Sequence, residues 1–195
     1  MHPINLFIMN KQILHLIFLV APCCSMAQVI GTTFPDMTAE TVDDLPTGQA
    51  GKKVLLPNDV SGKYTLLGLA YSKKSEDELN SWFNPIFTKF IQKQEGMMSG
   101  FSYDVNVYFV PMFTGINAAG TGTAKRKALK NTDPKLLPYI LFYKGELKKY
   151  KEALDFEKRD IPYFFVLDPQ GKIVYATSGR YSQDKMDAVE EAIQE

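Results

Sequence analysis

The side chains that run thiol, imidazole and most metal chemistry are gathered at one end of this sequence. Its two cysteines, Cys23 and Cys24, and its two histidines, His2 and His15, all precede residue 25. Past that point a disulfide exchange has no thiolate, zinc, copper and haem lack their usual ligands, and the commonest general base is missing. No catalytic residue, metal site or cofactor is expected there. What remains is oxygen and nitrogen chemistry: Ser72-Lys73-Lys74-Ser75, the acidic groups Asp43-Asp44 and Glu76-Asp77-Glu78, and Gly120-x-Gly122 beside Lys125 and Arg126. A carboxylate does acid–base work when burial shifts its pKa. Here one acidic group falls in the first turn of a helix and the other in a polar loop, where solvation explains both. The glycine pair could offer free N–H groups to an anion, but it lacks the Gly-Lys-Ser/Thr of a phosphate loop, so the signal is weak and a surface loop is the expected reading.

The elements explain where the thiols go. Met9-Asn10-Lys11 is a short basic start, Ile13 to Val20 an apolar run, and Ser25-Met26-Ala27 a small-x-small site. Together they predict a signal peptide over residues 1–27, cut between Ala27 and Gln28, and one domain over 28–195. The apolar run falls short of the ~20 residues a membrane span needs. Membrane contact is expected only if this segment is retained or if Cys23 or Cys24 is lipidated, and Pro22 before Cys23 argues against lipidation. The exported chain, periplasmic or secreted, would then hold neither Cys nor His.

Charge is balanced, 22 basic against 22 acidic side chains, so bulk charge gives no argument for nucleic acid. Its distribution is uneven: a basic segment runs from Lys125 to Arg159, and both ends of the predicted domain are acidic.

Met37 to Val42 and Lys53 to Leu56 read as an N-terminal hairpin. Tyr64 to Tyr71 is a continuous apolar run, the pattern of a strand buried on both faces. A helix follows, with Ser75 and Glu78 spaced as a capping box and Leu79, Trp82, Phe83, Ile86, Phe87, Phe90 and Ile91 on one face. Pro85 should kink it. Tyr103 to Phe109 is the next strand, and a basic helix spans Ala124 to Lys130. Residues 134–160 contain a helical turn, a strand-like Tyr139 to Tyr143 and a helix-like Glu146 to Leu154, in an order left open. Tyr163 to Leu167 and Lys172 to Thr177 form a hairpin across Asp168-Pro169-Gln170-Gly171, whose Pro and Gly suit a type I turn. Ser182 caps a terminal helix.

The stretch EKRDIPYFFVLDPQGKIVYATSG, with its Ile-Pro step, strand, turn, strand and glycine before a last helix, resembles the C-terminal half of the thioredoxin-like superfamily, in particular its redoxin branch. Gly31-Thr32-Thr33-Phe34-Pro35 before the first hairpin and the prolyl kink in the long helix are similar to redoxins too. The resemblance implies an α/β fold: a thioredoxin-like central mixed sheet flanked by helices, with an N-terminal β-hairpin extension. It also implies that Pro162 is the family's cis-proline, and that Ser72-Lys73-Lys74-Ser75 stands where the family carries Cys-x-x-Cys. Serine hydroxyls form no disulfide. The expected molecule is therefore a redoxin scaffold without its redox couple, acting by binding an unknown protein or peptide beside Pro162. Residues LLPYILFYKG and the hairpin also resemble redoxin-like ATP synthase assembly factors, which implies an assembly or chaperone-like role. Two other readings stay open, an enzyme using carboxylate, Tyr or Lys chemistry and an adaptor for anionic surfaces through the basic 125–159 segment.

Overall fold

A computed structural model describes residues 25–42, 51–92 and 103–194. The strands are β1 (Met37–Thr41), β2 (Lys53–Leu56), β3 (Tyr64–Ala70), β4 (Val105–Thr114), β5 (Leu141–Gly145), β6 (Tyr163–Leu167) and β7 (Ile173–Ser178). The helices are α1 (Lys73–Leu79), α2 (Phe83–Ile86), α3 (Thr121–Asn131), α4 (Lys148–Leu154) and α5 (Gln183–Gln194). The strands join in one sheet in the order β2-β1-β5-β4-β3-β6-β7. β3, β4 and β5 are parallel, while β6, β7, β1 and β2 are added antiparallel.

Two apolar layers sandwich this sheet, because successive side chains of a strand point to opposite faces. From β3 and β6, Leu67, Leu69, Tyr163, Phe165 and Leu167 pack with the β1–β2 hairpin and with Tyr150 and Leu154 of α4. Leu66, Ala70, Phe164 and Val166 face the other way, onto Leu79, Trp82 and Ile86 and onto Met186, Val189 and Ile193 of α5. β3 is thus an interior strand buried on both faces, and its unbroken apolar run follows from that position. Gly68 sits where β3 passes beneath α1: a Cβ there would come within 2.6 Å of the Phe164 ring.

The helix after β3 departs from its sequence pattern at both ends. It starts a turn early, with Ser72 as N-cap and Ser75 at the third helical position, so the capping box is Ser72/Ser75 and not Ser75/Glu78. It is also broken. α1 passes into a 3₁₀ turn at Asn80–Trp82, α2 carries Pro85, and a π turn spans Phe87–Ile91. Pro85 has no N–H to give the carbonyl four residues back, so the regular ladder cannot run through it.

The last hairpin closes as its residues require. The Gly171 N–H donates to the Asp168 carbonyl at 2.9 Å, and Gly171 adopts φ 81°. Asp168 Oδ1 accepts from the N–H groups of Gln170 and Lys172, both at 2.9 Å. Segment 131–160, left unordered by sequence, resolves as a 3₁₀ turn at Leu137–Tyr139, then β5, then α4.

Of the predicted signal segment, residues 1–24 lie outside the described part. Ser25–Val29 forms a 3₁₀ turn in which Met26 and Val29 are buried, and Gln28 is exposed. The proposed cut between Ala27 and Gln28 therefore falls inside this turn. Among the described residues no helix is long and apolar enough to cross a membrane.

Candidate functional site

The junction of β3 and α1 is built around Ser75, which is fully buried. Its Oγ accepts the N–H of Tyr71 at 3.1 Å and of Ser72 at 2.9 Å, and donates to the Ser72 carbonyl at 2.9 Å. Both lone pairs and the proton are occupied. Ser72 Oγ in turn accepts the Ser75 N–H at 3.1 Å and donates to Asp160 Oδ1 at 3.1 Å. With no imidazole within the described residues to remove a proton, these hydroxyls hold the turn together and are not primed as nucleophiles. Lys73 and Lys74 are exposed, and Lys73 pairs with Asp77 one turn on.

Register places the opposite wall. β3 and β6 pair antiparallel with Leu69 across from Tyr163. Continuing that register sets Pro162 across from Ala70 and Asp160 across from Ser72, in agreement with the Ser72–Asp160 hydrogen bond. Pro162 is buried in the approach to β6, and its carbonyl accepts the Gly179 N–H at 2.8 Å. The expectation that Pro162 follows a cis bond is corrected: the cis peptide among the described residues is Leu56-Pro57, and Ile161-Pro162 keeps the trans form that X-Pro bonds ordinarily prefer.

An aromatic cluster missed by the sequence reading braces this wall. Tyr71 stacks on Phe156 with centroids 5.4 Å apart, and Phe156 lies 4.6 Å from Tyr163. The Tyr71 hydroxyl donates to the Lys158 carbonyl at 3.0 Å; the Tyr163 hydroxyl donates to the same carbonyl and accepts the Lys158 N–H at 2.7 Å. Burial pushes both hydroxyls above the ordinary tyrosine range. They stay protonated at neutral pH and clamp the 156–160 loop, so neither supplies a base.

Beside the junction, on the face that carries α1, lies a cavity of about 770 Å³ between α1–α2 and α3 over β4 and β5. Glu76 enters it from the first turn of α1. Burial raises the Glu76 pKa, with Lys73 and Lys127 pulling the other way. The signal that could have found it was Glu76 itself, one turn from the apolar stripe.

The basic segment is partly committed to the fold. Lys125 is buried and reaches Glu40 Oε2 at 2.7 Å. Lys149 donates to the Asp36 carbonyl at 2.7 Å and lies over the Tyr150 ring.

This arrangement is the thioredoxin-like fold of the redoxins, and Ser72 and Ser75 stand at the junction of β3 and α1. No protein-family model and no curated relative matches the sequence. Solved structures do match in fold. The C-terminal domain of a protein assigned as a thiol-disulfide oxidoreductase from Bacteroides thetaiotaomicron is 14% identical, with 85% of this chain and 96% of that one covered at a TM-score of 0.51. BsSco, a member of the Sco family of cytochrome c oxidase assembly proteins, is 12% identical over 83% and 94% at 0.53. The mitochondrial 2-Cys peroxiredoxin of Plasmodium falciparum is 13% identical over 85% and 94% at 0.51.

Proposed function

We propose that this is an exported, non-redox thioredoxin-like protein that acts by holding a protein or peptide partner at the Ser72–Ser75 turn and the Ile161-Pro162 loop. The observation that supports this reading is the state of the junction: Ser72 and Ser75, where the resemblance would put a redox couple, have their hydroxyls bound into a helix cap. With thiols confined to Cys23 and Cys24, removal of residues 1–27 leaves a chain that grips without passing electrons. Insulin reduction by the processed protein is expected to stay at the uncatalysed rate; measurable turnover overturns the non-redox reading. Cross-linking and pull-down from the extracytoplasmic fraction are expected to lose their partner bands when Lys73, Lys74 and Pro162 are replaced together with alanine. Unchanged bands remove the docking surface.

A second reading, an enzyme using carboxylate chemistry, is favoured by Glu76 alone, a carboxylate raised by burial inside a cavity. It predicts a bell-shaped rate profile abolished in Glu76→Gln, whereas the binding reading predicts no turnover to abolish.

A further inference from the structure

The cavity beside the junction is built as two chemistries. Its floor is aromatic: Phe83 of α2, Phe109 and Phe113 of β4 and Phe142 of β5, with Ile140 and Leu136 completing it. Its rim is polar, with Glu76 and Asn80 on one side and Lys127 and Asn131 of α3 on the other. None of these four rim side chains makes a hydrogen bond or close ion pair to the described residues. Neighbouring polar groups are engaged: Lys73 with Asp77, and Asp133 Oδ1 with the Lys135 N–H. The cavity volume falls within the range of roughly 300–1,000 Å³ found for small-ligand sites.

The rim decides the charge of the occupant. A carboxylate over the floor gains Lys127 but meets Glu76, and an ammonium gains Glu76 but meets Lys73 and Lys127, so for either the attraction is offset by a like charge on the same rim. A neutral amide meets neither penalty. Its N–H donates to the half-buried Glu76 carboxylate, its carbonyl accepts from Lys127, and the Asn80 and Asn131 side-chain amides each present a donor and an acceptor to it. The floor takes an aromatic body by edge and offset contacts among its rings. We infer that this cavity is a binding site for an uncharged amide carrying an aromatic side chain, supplied either by a peptide segment or by a free N-acylated amino-acid amide. The site shares Lys73 with the Ser72–Ser75 turn but lies between α1–α2 and α3, away from Pro162, and it stands whether or not a partner docks at that turn.

The test is titration of the full exported chain, followed by ¹H–¹⁵N spectra, with N-acetyl-phenylalaninamide, phenylacetate and phenethylamine as probes. The amide is expected to give saturable shifts in the Asn80 and Asn131 side-chain amides and along the α3 backbone. Phenylacetate and phenethylamine are expected to bind at least roughly tenfold more weakly. In Glu76→Gln the amide still binds while the penalty against phenylacetate shrinks severalfold; Ala128→Trp, which fills the cavity, abolishes the α3 shifts in a chain whose dispersion shows it folded. A capped tripeptide, N-acetyl-Phe-Ala-Phe-amide, binding more tightly than the single amide identifies a peptide as the source, and equal affinity identifies the free amide. Absence of α3 shifts with every probe up to its solubility, phenylacetate binding as tightly as the amide, or an unchanged preference in Glu76→Gln overturns the inference.

Discussion

At Ser75 one oxygen accepts two backbone N–H groups and returns its proton to a third backbone group, a saturated arrangement with consequences for substitution. Replacing Ser72 with alanine removes the N-cap acceptor and the bond to Asp160. It is expected to cost about 0.5–2 kcal/mol, read as a lower urea midpoint at unchanged m-value. Replacing both serines with cysteine puts a dithiol in the turn that the resemblance to redoxins proposes as the redox position. Alkylation and mass spectrometry should then detect an intramolecular disulfide, with insulin reduction appearing where there was none; a dithiol that stays open means the turn is not in redoxin geometry. Glu190 offers a separate test through pH. Burial pushes its carboxyl up, but the Lys89 ammonium and the Tyr103 hydroxyl pull it down further, and the net position is below the usual carboxylate range. A carboxyl lowered in the folded state adds stability that is complete above its unfolded pKa and is lost as pH falls through the folded one. Glu190→Gln should therefore be less stable than the parent at pH 7, with the gap closing in acid below the ordinary carboxylate pKa. A gap constant with pH would mean that the loss comes from packing.

The elements were legible where local pattern and tertiary role agree. β3 and β6 are buried on both faces and read as apolar runs, the β1–β2 hairpin shows turn residues between two short strands, and α5 shows Met186, Val189 and Ile193 at helical spacing with Ser182 ahead of it. The cap of α1 was misplaced because Ser72 and Ser75 both offer a hydroxyl and Glu78 makes a second box; only the backbone shows which serine is the N-cap. The order within 131–160 depends on β5 pairing with β4 and with β1, and those contacts leave no local mark. Asp160 was missed for the same reason: its tie to Ser72 comes from β3–β6 register. The cavity depends on α3 lying across β4 from α1, which no periodicity encodes. The tightest of these relations, α1 over β3, yields a prediction. Gly68→Ala would drive a methyl into the Phe164 ring and, at 3.0 Å, the Leu79 side chain. Overpacking of this kind costs about 1–3 kcal/mol, so thermal unfolding should shift down by several degrees. An unshifted midpoint would show that Phe164 has room to turn aside.

For the whole molecule, the question is where the working chain begins. The predicted cut between Ala27 and Gln28 removes both thiols, but it also removes Met26, which packs in the core layer that holds Val29, Phe34 and Ile173. The segment behind it is firmly attached: the N–H groups of Gly31 and Phe34 donate to the carbonyls of Ile173 and Gly171 at 2.7 and 2.9 Å. Trimming should therefore loosen the 25–29 turn without undoing the sheet. A chain starting at Gln28 is expected to fold with an unchanged far-UV spectrum. It should be about 1–2 kcal/mol less stable than one starting at Ser25, the transfer gain of a buried methionine less the entropy of ordering a terminus. Denaturant unfolding of the two chains measures that difference, and mass spectrometry of the protein recovered outside the cytoplasm measures which chain exists. Recovery of a chain beginning at Gln28 would mean that export is served at the expense of this contact, leaving a molecule without sulfhydryl or imidazole. Recovery of one that retains Cys23 or Cys24 would return a thiol to the protein and end the argument that it only binds.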